Sequence, residues 1–423
     1  MFDSIAPISL LAKGVAHVAR KKSFDFALRL INGSECSSGF ITKLYKNIEG
    51  KVSLYIHIPF CIAPCRFCCF VRFPYKEDKY WLYMKALQAE IEETRSKLER
   101  TRVESVYIGG GTPSVNAEGL VWLLDIVREN FPEASTLTVE INPSDATPEL
   151  LQAMRETGVN RVSIGIQSLR TKTLKRLGRR QKISEAVRAI AIAAKTGFPT
   201  INADLMFSVP GQDITEVLED ASYILRLGAN QLTFYPLIPG IGAKRELVER
   251  ILGSLDYTSD LKAYNAIEKH MEREGLSPLT PWCYAKGKAP LDEYIVEYTD
   301  YVAVGLSGIG KVGSRVYVNT FNVNKYVKKV LERGFSCSKT TVLTRSEAVD
   351  YDLFMEVFGL RLSIEHFLTT WGAIRVLPIL PLIKVHKGII EPAFLARYLI
   401  HVAMREFLSV LAWMRTEALA RNI

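Results

Sequence analysis

The sequence predicts an α/β fold, a parallel sheet with helices outside it, on two observations. Six short, apolar and often β-branched runs, Val52–His57, Val103–Ile108, Leu137–Ile141, Arg161–Ile166, Thr200–Met206 and Gln231–Tyr235, alternate with stretches of helical character. Serial β–α units of this kind imply parallel strands, because each crossover needs a helix's length of chain. The polar and glycine-rich motifs also keep one register. Cys61 follows the first run, Gly109 the second, Glu140 ends the third, Gln167 follows the fourth and Asp204 lies in the fifth. In parallel β–α architecture the C-terminal strand ends are where sites are built.

Between the strands the helical stretches are Asp78–Leu98, Ala117–Asn130, Thr147–Glu156, Ser184–Thr196 and Ile214–Leu227. Thr147-Pro-Glu-Leu150 reads as a helix opening, with Pro at the first helical position and Glu after it. After about Ser254 the β–α rhythm weakens. The expected division is an N-terminal helical extension (1–50), the β–α core (51–254), a closing segment (255–343) and a helical C-terminal domain (344–423). Within the extension, Phe2–Lys22 is expected as a short amphipathic helix able to cover an open barrel.

With 423 residues, 48% hydrophobic and 23% charged, the chain has enough apolar material for one large domain and an appendage. Its net charge of +9 points to anionic company: a carboxylated small molecule, an acidic protein, anionic lipid or nucleic acid. The basic residues are scattered and no nucleic-acid motif surrounds them, so no nucleic-acid partner is expected. Of seven cysteines, four fall between Cys61 and Cys69, while Cys36, Cys283 and Cys337 stand alone, which argues against a disulfide framework and for a reducing, cytoplasmic setting. The apolar stretch Ile5–Val18 precedes Arg20-Lys-Lys22, the reverse of a signal peptide's order, and no uncharged apolar run reaches the length of a bilayer span. His17, His57, His270, His366, His386 and His401 are dispersed, with no pair at metal-ligand spacing.

Cys61, Cys65 and Cys68 form a C-x3-C-x2-C triad. Three thiolates are one short of a closed metal cage; on a [4Fe–4S] cluster they leave one iron open to an external ligand. Tyr55-Ile-His-Ile-Pro-Phe before the triad, Gly109-Gly-Gly-Thr-Pro-Ser114, Gly165-Ile-Gln-Ser168 and Asp204-Leu-Met-Phe-Ser-Val-Pro-Gly-Gln212 accompany it. Together these resemble the radical S-adenosylmethionine (SAM) enzymes, and among them the oxygen-independent coproporphyrinogen III oxidase family, which includes haem chaperones and SAM-dependent methyltransferases. The resemblance runs from about Val52 to about Trp371. It implies a partly open, six-stranded parallel (β/α)6 barrel with a small, mainly helical C-terminal domain.

The resemblance also implies roles. Cys61, Cys65 and Cys68 would hold the cluster, whose open iron would chelate SAM's amino and carboxylate groups so that one electron cleaves the sulfonium to methionine and a 5′-deoxyadenosyl radical. Gly109, Gly110, Gly111 and Thr112 are expected to hold the methionyl amino group, since backbone without side chains admits a ligand closely. Tyr55, also the catalytic candidate, would lie against the ligand at the cluster, with Ile309 from the closing segment nearby. Glu140, Gln167, Arg179 and Asp204 would take ribose hydroxyls and a carboxylate, Arg179 through its planar fork. Phe67, Gln167, Arg179 and Asp204 match positions that serve a second SAM in the oxidase, so one or two SAM molecules are expected. Partners would be a small organic substrate and a one-electron donor such as flavodoxin or ferredoxin.

Three departures qualify the resemblance. Phe70 stands where the oxidase branch has a further cysteine, and Cys69, next to the third ligand, is expected to be a packed thiol. Ser208 replaces the usual glycine and is expected to narrow that side of the site. From Ala373 onward nothing matches: Val376-Leu-Pro-Ile-Leu-Pro-Leu-Ile383 precedes a helix-like run from Pro392 to Ala420 whose Phe394, Tyr398, Leu399, Val402, Phe407, Leu411 and Trp413 form a broad apolar surface. That surface is expected to pack on the barrel, with a peripheral membrane contact as the alternative. The expected function is radical-based oxidation or methyl transfer on a bulky, tetrapyrrole-like or other hydrophobic substrate. The alternatives are a haem chaperone without turnover and a membrane-surface, lipid-modifying protein.

Overall fold

The computed structural model describes residues 5–48, 50–98, 101–298, 300–360, 362–365, 383–386 and 388–423. Trp371 and most of the run Val376–Ile383 lie outside them, as does Phe2. All six expected strands are present: Gly50–Ile58, Thr101–Gly110, Thr136–Ile141, Arg161–Gln167, Thr200–Phe207 and Gln231–Pro236. They pair in chain order and in parallel, with Ile58 opposite Gly110, Ile108 opposite Val139 and Asp204 opposite Thr233. From Val52 to Ile58 every residue of the first strand is buried, as expected of a parallel strand covered on both faces.

The intervening helices start where short polar side chains cap them. Asn116 accepts from the Gly119 amide ahead of Ala117–Asn130, Thr147 from Leu150 ahead of Pro148–Glu156, and Asp213 from Thr215 ahead of Ile214–Arg226. Each cap turns the chain back from a strand end, which leaves the strand-end loops free to carry function.

The segment expected to close the barrel instead lengthens the sheet at both edges. Tyr301–Val304 adds a seventh parallel strand beside the first, followed by antiparallel Ile309–Val312, Arg315–Asn319 and Cys337–Val342. Cys283–Ala285 pairs antiparallel with the sixth strand at the other edge. The result is a 13-stranded sheet, and among the described residues no strand pairing joins its two edges. Cys36 and Cys337, expected as lone thiols, are bonded to each other with their Cα atoms 5.7 Å apart. The pairing of Ser34–Glu35 with Lys339 and Thr340 brings them together, a contact between distant parts of the chain with no local trace in the sequence.

The chain's two ends meet. The N-terminal helix, longer than expected at Ile5–Ile31, packs along the C-terminal helix Phe394–Ala420, with Phe24 and Trp413 ring centroids 4.5 Å apart and Arg20 on the buried Glu406 at 2.8 Å. On the C-terminal helix Tyr398, Val402, Phe407 and Leu411 are buried and Phe394, Leu399 and Trp413 half-buried against the core. The apolar surface is therefore used inside the fold, and no helix among the described residues is long and apolar enough to cross a membrane.

Asp260, on helix Tyr257–Arg273, anchors this helix. Its carboxylate meets Arg405 at 2.9 Å and His401 at 3.1 Å and accepts from Tyr398 and Ser208. Burial alone would raise the Asp260 carboxyl, but Arg405 and His401 more than offset that and hold it below the usual carboxylate range. Replacing it by Asn leaves Arg405 buried without a counter-charge. Asp260→Asn is expected to cost about 3 kcal/mol, read from the urea midpoint. Because the folded carboxyl titrates below its unfolded value, its contribution is present above about pH 4 and lost as pH falls further, and the variant should lack that acid-dependent loss.

Candidate active site

The cysteine loop is tied at its base and along its backbone. Phe60–Cys61 pairs with Phe73–Pro74, and the Arg66 amide donates to the Leu177 carbonyl at 3.0 Å. Arg72 donates to the carbonyls of Cys65 at 3.0 Å, Phe70 at 3.3 Å and Cys68 at 3.5 Å, so one guanidinium sets the loop's curvature. Cys61, Cys65 and Cys68 are half-buried and open on one cavity of about 450 Å³.

The surroundings of these thiols suit a three-thiolate metal cluster. Burial raises the thiols of Cys61 and Cys68, the latter to about 11, so a cation must replace the proton before they ionise. Thr112 Oγ1 donates to Cys61 Sγ at 3.3 Å and Arg179 Nη1 to Cys65 Sγ at 3.6 Å, which supports charge on sulfur. Among the described residues no three His, Cys, Asp or Glu side chains gather as a site for a single ion. A cluster that gives each thiolate its own iron makes no such demand. Cys69 is buried against Leu408, Ala412 and Ile238 and also borders the cavity.

The second strand end holds the glycines. The Gly110 amide donates to Glu140 at 3.1 Å and the Gly111 amide to the Ile58 carbonyl at 2.7 Å, leaving the cavity-side backbone bare. Gly110 has φ +120° and a Cβ there would stand 2.6 Å from the His57 ring. Gly109, expected to touch a ligand, is not on the cavity wall; a Cβ on it would meet the Glu140 carboxyl at 2.9 Å, so its part is to let Glu140 approach.

Tyr55, Phe67, Gly110, Gly111, Thr112, Glu140, Gln167, Arg179, Asp204 and Ile309 all line the cavity with the three cysteines. Tyr55 is buried, stacks on Tyr294 at 4.3 Å and bonds His57 Nδ1 through its hydroxyl at 2.9 Å. His57 Nε2 faces the Val71 carbonyl, so both ring nitrogens are engaged, and burial followed by the Arg415 charge pushes its pKa down to about 3. Gln167 has φ +67°, at a break in register between the fourth and fifth strands. Arg179 spends its fork on the Gly165 carbonyl, Gln181 and Asn142, not on Glu140 or Asp204. Asp204 accepts from Ser163 and Asn202. Desolvation, then the charge of Glu140, pushes its carboxyl up to about 7. Ser208 does not reach the cavity; its hydroxyl turns to Asp260.

Sequence reasoning missed part of the wall. Glu293 accepts from Tyr235 at 3.2 Å and, by burial and then the neighbouring Asp292 and Glu140 charges, is pushed up to about 8. Phe26 comes from the N-terminal helix, and Phe407, Leu408, Leu411 and Arg415 from the C-terminal one. The unbroken acid–aromatic run Asp292-Glu-Tyr294 was the one local signal available.

A parallel sheet whose first strand end delivers three cysteines into a cavity walled by the other strand ends is the architecture of the radical SAM proteins. Residues 55–224 match the family model described as the radical SAM superfamily. The matched segment and the relatives below support the radical SAM superfamily, and within it the coproporphyrinogen III oxidase-like proteins that include haem chaperones, as what this chain is similar to. It is 28% identical over 363 residues to a Bacillus subtilis protein named heme chaperone HemW, covering 82% of this chain and 95% of that one. An Escherichia coli protein of the same name is 36% identical over 190 residues, 44% of this chain and 50% of its own. The solved structure of coproporphyrinogen III oxidase (HemN) from Escherichia coli superposes with a TM-score of 0.72 over 87% of this chain and 93% of its own, at 20% identity, a likeness of fold.

Gly110→Ala tests the geometry of the glycine turn. The positive φ and the His57 contact together are expected to cost about 2 kcal/mol or more. Thermal unfolding should register that loss, and equilibrium dialysis a weakening of SAM binding that Gly14→Ala on the N-terminal helix does not cause.

Proposed function

We propose that this protein holds a [4Fe–4S] cluster on Cys61, Cys65 and Cys68, binds SAM in the adjoining cavity, and acts on a hydrophobic organic substrate by oxidation or methyl transfer. The observation that carries the reading is the opening of all three cysteines onto one cavity whose walls include Gly110, Gly111, Thr112, Glu140, Gln167, Arg179 and Asp204. When bound, cluster and SAM supply a 5′-deoxyadenosyl radical after one-electron reduction, a chemistry that belongs to the cofactors. The chain's residues position and exclude water. Tyr55, Tyr107 and Tyr294 form an aromatic wall, Glu140 and Asp204 offer oxygens to hydroxyl and cationic groups, and the end helices cover the opening. A flavodoxin or ferredoxin is the expected donor.

A second reading, haem carriage without turnover, is favoured by the names of the relatives, while Phe70, standing where the oxidase branch has a further cysteine, resembles the chaperone and methyltransferase branches alike. Anaerobically reconstituted protein separates the two when 5′-deoxyadenosine, S-adenosylhomocysteine and bound haem are followed together. Turnover of SAM is expected. A [4Fe–4S] protein that binds haem and never consumes SAM would establish the chaperone reading instead. Cys61→Ala, Cys65→Ala and Cys68→Ala should each lose iron and cleavage, whereas Cys69→Ala should keep both. The same dialysis that measures SAM affinity counts whether one or two molecules bind.

The buried acids predict a pH dependence. Asp204 is held neutral below about pH 7. A sulfonium ligand favours the ionised carboxylate, so SAM affinity should rise as pH is taken from about 6 to 8. Asp204→Asn should flatten that rise. An affinity independent of pH in the wild-type protein would remove Asp204 from the SAM contact.

A further inference from the structure

The cavity lining carries the acids Glu140, Asp204 and Glu293, so a carboxylate that a ligand brings needs a cation. The residue expected to supply it, Arg179, is committed to the Gly165 carbonyl, Gln181, Asn142 and Cys65 Sγ. Arg72 is equally committed to three loop carbonyls, and Arg180, also on the wall, is exposed. Arg415 differs from all three. It lines the cavity from the C-terminal helix, Nη1 donates to the Cys69 carbonyl at 3.1 Å, and the guanidinium lies over the Phe70 ring at 4.9 Å. That leaves most of its donors unspent, and no ion pair with a carboxylate is formed among the described residues.

Arg415 is also presented rigidly. Its helix is fixed by Arg405 and His401 on Asp260, by Glu406 on Arg20 and by Arg397 on Glu268 at 2.6 Å. One and two turns before Arg415 the same helix turns Leu411, Leu408 and Phe407 into the cavity, whose lining also holds Tyr294 and Tyr351, the latter edge-on to Phe407 at 6.3 Å. A cation at one end of an apolar and aromatic strip matches a molecule with an apolar body and a carboxylate at its edge.

We propose that Arg415 is the carboxylate-binding residue of this cavity, taking the carboxylate of an apolar ligand laid along Phe407 and Leu411, or the methionyl carboxylate of SAM. The proposal rests on the reading of the cavity as a SAM and substrate site. It assigns the carboxylate role to the segment beyond Trp371, after the last of the sequence motifs that carry the resemblance.

The test compares ligands that differ only in the carboxylate, on anaerobically reconstituted full-length protein. SAM is set against decarboxylated SAM by equilibrium dialysis, and haemin against its dimethyl ester by absorbance titration. Arg415→Gln is expected to weaken one carboxylate-bearing ligand about tenfold while leaving its decarboxylated or esterified counterpart unchanged, and Arg415→Lys to recover part of the loss. The pair that shows the difference names the source of the carboxylate. Equal weakening within both pairs, or no weakening at all, overturns the proposal. Loss of iron in Arg415→Gln and Arg415→Lys alike also overturns it, because Arg415 then acts only as a clasp on the cysteine loop through Cys69. Wild-type protein that keeps iron but binds no SAM refutes the SAM reading alone, and the haemin pair still decides the role of Arg415.

Discussion

Parallel pairing of six consecutive strands, buried on both faces, is the constraint on which the rest depends. Along such a strand a buried polar side chain calls for a partner, as Ser53 on Ser105 and Asn202 on Ser163 and Asp204 illustrate. At the C-terminal ends the constraint lifts, and there the chain places Cys61, Gly110, Glu140, Gln167 and Asp204. In-register pairing then converts five separate sequence motifs into one site, since each strand end is fixed relative to its neighbour by backbone hydrogen bonds. A slip of one residue in any pair would turn the functional side chain to the opposite face.

The two chain termini complete what the sheet leaves open. Their helices cover the cavity through apolar contact, but their placement is decided by buried charge and its hydrogen bonds: Asp260 with Arg405, to which His401, accepting from Trp282 at Nδ1, adds its Nε2–H, and Glu406 with Arg20. Buried ion pairs add little net stability because both partners are desolvated, yet an alternative seating of the helix would strand one charge without the other. The arrangement therefore selects one position along the barrel, the one that brings Leu408 and Ala412 onto Cys69 and Arg415 onto the loop's backbone. Cover and cysteine loop are coupled by direct contact.

Much of this was legible in the sequence, for physical reasons that also explain what was not. The six strands and their helices announce themselves by local periodicity, and Thr147-Pro148 marks a helix start because a cap and a missing amide act within one turn. The cavity residues at strand ends came from the motifs of the family resemblance, and the register of the strands agreed with them. Tertiary facts without local cause stayed hidden. Cys36 and Cys337 lie 301 positions apart and meet only because Ser34–Glu35 joins the far edge of the sheet. Glu293 becomes a wall residue, and a perturbed one, through burial beside Asp292 and Glu140. Arg179 looked like the free cation because nothing in the sequence says that Gly165, Gln181 and Asn142 will surround it.

Ser208 joins the two kinds of information. It occupies a left-handed backbone conformation, φ +56°, which glycine adopts freely and which costs a serine about 1 kcal/mol or more. The sequence alone suggests that its side chain crowds the site. The structure instead spends the hydroxyl on Asp260, the carboxylate that anchors the C-terminal helix. The strain is thus offset by one more donor to a buried anion that already receives His401 and Tyr398. A serine in place of glycine and the C-terminal helix are then one feature. The strand end that carries Asp204 toward the cavity also holds, four residues on, the far end of the helix that covers it.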